Sequence, residues 1–305
     1  MASEPRTQSP TPLRARSITP PPGASILQAH PPGSPEFTFL EFAAYFPHVP
    51  TSLAVIECVR LKRMKELPVI GPVLDIGCGD GLFTSLAYPE VEVWGIDVNE
   101  RIAARAQASR AYSHVICKSI TESSPALPAE FFATCIANSS LEHIPDLDSA
   151  LATIRRAIRP GGLFYLIVPR GRDWMDTFPL RRAMDKLRLS EAGRAYAATL
   201  DARFAHHHLY DADEWAARLH AVGFVDVESE VLGTDGSQAA FEAWLLPSMM
   251  GYLSRRLTGR WVLAPGARSL YAWPVFQTVR RLLETRSGLA GPELLIVCRA
   301  PASRG

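Results

Sequence analysis

Beyond residue 70 the chain alternates short apolar runs with amphipathic stretches. VLDI (73–76), VEVWGI (91–96), HVIC (114–117), FFATCIA (131–137) and LFYLIVP (163–169) are brief and rich in β-branched and aromatic residues, so each predicts a strand. Helices are predicted from near Asp80, Asn99 and Asp146, the last stopped by IRPGG at Pro160, Gly161 and Gly162. A further helix over 211–221, broken by Gly223, leads into a strand over 224–231, and PELLIVCR (292–299) predicts one more. This alternation predicts an α/β protein with a parallel sheet covered by helices on both faces.

Three stretches lie outside that pattern. Residues 1–35 are rich in Pro, Ser, Thr and Arg with few large apolar groups, and predict a disordered tail. Its prolines argue against the amphipathic helix of a transit peptide. Residues 36–67 predict a leading helical segment, with Thr51 as a cap and Leu53, Ile56, Val59 and Leu61 forming an apolar stripe. Residues 36–305 are thus expected to form one elaborated domain, with helical lid insertions at about 170–210 and 233–291.

The 32 basic and 31 acidic residues nearly cancel, which removes any global attraction to nucleic acid. The five cysteines are scattered and form no C-x-x-C pair, which fits buried thiols in a reducing compartment. No stretch of about 18 uninterrupted apolar residues could span a bilayer, and no secretory signal core is present, so a cytoplasmic location is expected. The second insertion carries seven arginines against three acids among Trp244, Trp261 and Trp273. It resembles an interfacial helix pair, and the readings are peripheral contact with an anionic membrane, a cover over a hydrophobic ligand, or a packed helical insertion with a solvated face.

The chemistry centres on VLDIGCGDG (73–81), where Gly77, Gly79 and Gly81 let the backbone approach a ligand after the first strand. Leu82 occupies the third glycine position of the dinucleotide fingerprint. Asp75 and Asp80 would also repel a pyrophosphate at the following helix N-terminus, which argues against a nicotinamide oxidoreductase. A ligand carrying an ammonium and a sulfonium fits better.

VLDIGCGDG resembles motif I of the class I S-adenosylmethionine-dependent methyltransferases. VEVWGIDVNE, ANSSLEHIPD and IRPGGLFYLIVP resemble the later motifs of the branch that includes the ubiquinone and menaquinone C-methyltransferases, and the resemblance covers about 73–232. It implies a Rossmann-like seven-stranded, mostly parallel sheet in the order 3-2-1-4-5-7-6, with the last strand antiparallel. It also implies S-adenosylmethionine as cofactor. Gly77, Cys78 and Gly79 would then border the methionine moiety, with Asp75 near its amino group. Asp97 would hold the ribose, Val98 would lie beside the adenine, Ser119 and Ile120 would match the adenine edge, and Asn138 would start the loop beneath the sulfonium. The pattern departs at Ser119 and Ala133, where the family usually has Asp. ANSS replaces the NPPY-like motif of amino-group methyltransferases, which points to a small-molecule acceptor.

Transfer to an oxygen or activated carbon benefits from a general base, and His143, His206 and His208 are the candidates. Glu142 is either a helix-start residue or a contact to cofactor or substrate. Adjacent histidines cannot all converge on one ion and i, i+4 spacing is absent, so no metal site is expected. The alternative to an enzyme is a non-catalytic S-adenosylmethionine-binding or partner-docking protein of the same fold. Oligomeric state is not legible.

Overall fold

A computed structural model of the chain describes residues 20–33, 37–122, 127–284 and 290–303. Its sheet is built from β1 (Val73–Ile76), β2 (Val93–Asp97), β3 (His114–Cys117), β4 (Phe132–Asn138), β5 (Ile158–Pro169), β6 (Val225–Thr234) and β7 (Ala290–Arg299). Their order is β3-β2-β1-β4-β5-β7-β6. β1 to β5 pair in parallel, and β7 runs antiparallel between β5 and β6. This is the predicted Rossmann-like α/β architecture.

The helices are α1 (Ile26–Ala29), α2 (Phe39–Tyr45), α3 (Thr51–Glu66), α4 (Leu82–Ala87), α5 (Glu100–Ser109), α6 (Leu147–Ala157), α7 (Pro179–Lys186), α8 (Ser190–Phe204), α9 (Ala212–Ala221), α10 (Asp235–Ala243), α11 (Leu245–Thr258), α12 (Pro265–Ser269) and α13 (Ala272–Leu283). Local chemistry starts several of them where the sequence predicts. Asn99 accepts from the backbone N–H of Arg101 and Ile102 to begin α5, Asp146 caps α6, and Asp211 with Glu214 forms a capping box on α9.

Two apolar layers bury the sheet. One face packs Leu74, Leu151, Phe164 and Trp215 under α6 and α9; the other packs Phe42, Val55, Tyr165 and Phe276 under α2, α3 and α13. A third cluster of Trp174, Phe178, Leu200 and Phe241 joins the 170–210 and 233–291 insertions over Ile56 of α3. α3 therefore lies between the sheet and these insertions and is buried on nearly every side.

Three sequence expectations are corrected. The tail is ordered from residue 20 to 33: Ile26 is fully buried, and Glu228 accepts from the backbone N–H of Ile26 and Leu27 and from the Ser25 hydroxyl. A carboxylate on β6 thus supplies the ordering energy that composition did not reveal; residues 1–19 and 34–36 lie outside the described residues. α6 ends at Ala157 and IRPGG already belongs to β5, where the register against β4 shifts between Phe132 and Thr134. Thr51 is the first residue of α3 rather than its cap, and its hydroxyl accepts from Arg268 at 3.0 Å.

Candidate functional site

The loop between β1 and α4 builds the floor of the site. Gly77 has φ +72°, and a Cβ there would meet the Ser140 Cβ at 2.5 Å. Gly79 has φ +59°, but a Cβ would meet nothing within 4 Å. The two glycines therefore serve different ends: Gly77 lets the loop pack on the segment after β4, and Gly79 keeps a cradle open. Gly77→Ala is expected to destabilise the fold by about 2 kcal/mol or more, from left-handed strain plus the clash. Gly79→Ala should carry only the strain, about 1 kcal/mol, yet weaken ligand binding at least tenfold. Urea unfolding and calorimetry of both variants would separate the two effects.

Around this floor the charges are fastened by neighbours. Asp80 Oδ1 accepts from the Leu82 N–H at 3.2 Å, so a carboxylate already occupies the N-terminus of α4 where a phosphate would otherwise bind. Asp75 is buried, accepts from the Thr84 hydroxyl at 2.5 Å and lies 2.8 Å from the Tyr112 hydroxyl. Burial pushes its carboxyl above the usual range, the bonds from Thr84 and Tyr112 pull it back, and nearby Asp97 pushes it up again. Asp97, at the end of β2, accepts from the Gly79 N–H at 3.2 Å and the Asn99 N–H at 2.9 Å.

Two cavities adjoin above the loop. The first, about 200 Å³, is lined by the 77–82 loop, Asp75, Tyr45, Glu57 and Asn138. The second, about 360 Å³, is lined by Trp174, Phe178, Phe241, His143 and His206, again with Glu57 and Asn138. The shared wall is a single hydrogen-bonded unit: Asn138 Nδ2 donates to Glu57 Oε2 at 3.2 Å, and Glu57 Oε1 accepts from Arg60 at 2.9 Å. Burial raises the Glu57 carboxyl, and the Arg60 charge and the Asn138 bond oppose it. The Tyr45 hydroxyl and Asn138 Oδ1 are buried without hydrogen-bond partners, and both residues line the first cavity. An acceptor-rich wall beside an open glycine cradle fits a ligand with a positively charged methyl-bearing centre.

The structure thus brings together Asp75, Gly77, Cys78, Gly79 and Asn138 at one cavity. Asp97, Val98, Ser119 and Ile120 line neither of the two cavities: Asp97 is bonded by the Gly79 and Asn99 N–H groups, Val98 is 71% exposed, Ser119 bonds to Thr121 at 2.8 Å, and Ile120 is buried. All four lie at the adjoining carboxyl ends of β2 and β3. Cys78 is buried, and burial lifts its thiol well above the ordinary range, with Asp75 and Asp97 adding to the effect, so it is no nucleophile at neutral pH. Ala133 is buried in β4, and its N–H donates to the Pro72 carbonyl at 2.9 Å.

Among the histidines, His143 and His206 both line the second cavity and stack at 5.2 Å. Burial lowers the His206 pKa and the neighbouring His143 lowers it further, against Asp201, which raises it. His208 lines neither cavity; its ring nitrogens lie 2.9 Å from the Ile144 carbonyl and 3.1 Å from the Tyr210 hydroxyl, which makes it a fastener of the loop. Glu142 is fully buried. Sequence reasoning missed Tyr45, Glu57, Arg60, Arg255 and Trp261, because all come from segments outside the alternating core. A clue existed in Glu57 and Arg60, the two charges within the otherwise apolar run 53–61.

The sequence profile of the methyltransferase domain matches residues 54–229. The ubiquinone biosynthesis O-methyltransferase of Pseudomonas aeruginosa is 36% identical over 100 residues, 31% of this chain and 42% of that protein. An uncharacterized methyltransferase of Mycobacterium tuberculosis is 31% identical over 96 residues, 31% of this chain and 49% of that protein. The matches therefore span less than half the length of these curated relatives. Phosphoethanolamine N-methyltransferase 2 of Haemonchus contortus, solved in complex with S-adenosyl-L-methionine, superposes with a TM-score of 0.50 at 17% identity, over 87% of this chain and 57% of that one, a likeness of fold. Motif I, the strand order and the profile match agree: the chain belongs to the class I S-adenosylmethionine-dependent methyltransferases.

Proposed function

We propose that the chain transfers a methyl group from S-adenosylmethionine to an oxygen or activated carbon of a small hydrophobic or lipid-linked molecule. The observation that carries this reading is the pair of adjoining cavities that share the Glu57 and Asn138 wall. When bound, S-adenosylmethionine supplies an electrophilic methyl on a sulfonium. The chain's own contribution is placement and exclusion of water. Gly77, Cys78 and Gly79 border the methionine part, Asp75 faces its ammonium, and Asn138 and Glu57 turn oxygen acceptors toward the sulfonium side. Asp97 holds the ribose, while Val98, Ser119 and Ile120 flank the adenine. Arg255, held 4.3 Å over the Trp261 ring at the same cavity, offers a cation to the methionine carboxylate. In the second cavity Trp174, Phe178 and Phe241 supply the apolar surface, and His143 with His206 supplies the imidazoles that handle the acceptor's proton.

Incubation of the purified chain with labelled S-adenosylmethionine and a cell extract should yield S-adenosylhomocysteine and one methylated small molecule. Cofactor binding with no turnover in any extract would favour the non-catalytic reading, and preferential binding of a nicotinamide dinucleotide would overturn both.

The lipid-linked part of the proposal draws on α11. Leu246, Met250 and Leu257 are 82%, 70% and 74% exposed, and with Leu253 they form one stripe along the helix. Arg256 lies beside it and the exposed Arg260 follows the helix, while Tyr252 and Arg255, turned away from the stripe, line the second cavity. An apolar stripe next to cations matches an anionic bilayer surface. Among the described residues no helix is long and apolar enough to cross a membrane, so the contact would be peripheral. Co-sedimentation with phosphatidylglycerol vesicles should show binding that falls at least tenfold in Met250→Asp/Leu257→Asp, since each buried side chain contributes about 1.5–3 kcal/mol. Equal sedimentation of both chains would remove the membrane contact.

A further inference from the structure

The short 3-10 turn Leu141–His143 and the segment after α8 are stitched together by their backbones: the N–H groups of His207 and His208 donate to the Glu142 carbonyl at 2.8 and 3.1 Å. This brings His206 against Glu142 and His143, which are remote from it in sequence. One donor atom of each lies within 4.8 Å of the other two. Glu142 is fully buried; its Oε1 accepts from the Ser139 hydroxyl at 2.6 Å, and its Oε2 has no partner. A buried carboxyl with an orphaned oxygen beside two imidazoles is a place where a bound cation would be stabilised, and the Arg60 guanidinium, whose charge reaches it, hydrogen-bonds to Glu57 and Glu293.

Each imidazole is oriented by its far nitrogen. His143 Nδ1 sits 3.3 Å from the Ala205 carbonyl, with Nε2 3.7 Å from Glu142 Oε1. His206 Nδ1 sits 3.4 Å from Asp201 Oδ1, which leaves its Nε2 for another partner. Carboxylate or carbonyl behind the imidazole, with the free nitrogen in front, is the outer arrangement of metal-ligating histidines. We propose that Glu142, His143 and His206 form a divalent transition-metal site whose open coordination positions face the second cavity. Two imidazoles and one carboxylate suit zinc-class chemistry. Donors on one tetrahedral zinc ion stand about 3.4 Å apart, so the three donors must draw together around an ion, and His143, whose side chain is 40% exposed, has room to turn.

The site's use rests on the proposed oxygen acceptor. The ion binds the acceptor hydroxyl and lowers its pKa, as it does for bound water. The O–H proton leaves to solvent, the oxygen forms the new bond to the methyl carbon, and the electron pair of the breaking carbon–sulfur bond stays on sulfur. His143 and His206 then act as ligands, and the ion takes over the part of a general base.

The full chain, stripped with chelator, is titrated with Co²⁺ while its visible absorption is followed, and with Zn²⁺ by calorimetry. One equivalent should bind with micromolar or tighter affinity, and His143→Ala and His206→Ala should each lose at least tenfold. His207→Ala, whose exposed side chain lies outside the triad, should bind as the unaltered chain does. Glu142→Gln is not needed for the decision if its buried site misfolds, because His143→Ala alters a half-exposed residue. Binding weaker than about 100 µM, or binding that survives both histidine variants, overturns the site. Zinc binding by a chain that makes no methylated product keeps the site and fails the methyltransferase reading. Full turnover in the stripped chain overturns the ion's catalytic part alone.

Discussion

Arg60→Met is expected to destabilise the folded chain by about 3–5 kcal/mol. Arg60 Nε lies 3.1 Å from both oxygens of Glu293, and Nη1 donates to Glu57 at 2.9 Å, all within α3 and β7 under the lids. Met preserves much of the stem's packing but leaves two largely buried carboxylates without their cation. Burial already raises the Glu57 carboxyl while Arg60 opposes it, so removing the cation raises it further. A carboxyl whose folded pKa exceeds its unfolded value, about 4.3, binds protons more readily in the folded state. The loss should therefore be largest near neutral pH and shrink as pH falls toward 4. Arg60→Met/Glu293→Gln should recover part of it by removing one orphaned charge. Urea unfolding at several pH values checks this, and a loss under about 1 kcal/mol at pH 7 would contradict the assigned network.

Asp97→Asn should weaken S-adenosylmethionine binding by about a hundredfold. Charge-assisted hydrogen bonds contribute roughly 1.5–3 kcal/mol each, and the amide replaces one charged acceptor with a donor that faces either the Gly79 or the Asn99 N–H. With Asp97 holding the ribose as proposed, the effect combines loss of that contact with loss of the bond that fixes Gly79. Calorimetry of both chains measures it, and a thermal midpoint within a few degrees of the unaltered chain shows that the fold is kept. A change under threefold would remove Asp97 from the cofactor site.

Several elements were legible because local chemistry and tertiary role coincide. VLDI and HVIC match β1 and β3 to the residue, and Asn99, Asp146 and Asp211 cap the helices they precede. In such places hydrophobic period and capping chemistry act within a few residues of one another, so the sequence contains the whole cause. Pro160 and the glycine pair after it were misread as ending α6 because their breaking tendency is local, whereas the β4 partner that draws Ile158 into the sheet is distant.

The site divides along the same line. From sequence alone came the α/β class, the glycine loop with its flanking carboxylates, Asp97, Asn138 and the imidazoles. Only the tertiary structure decided that α3 carries Glu57 and Arg60 into the wall between two cavities, that His208 fastens a loop, and that His206 meets Glu142 and His143. Backbone turns and helix caps depend on neighbours in the chain. Buried charge pairing and cavity walls depend on which distant surfaces pack together, and that is set by the whole core.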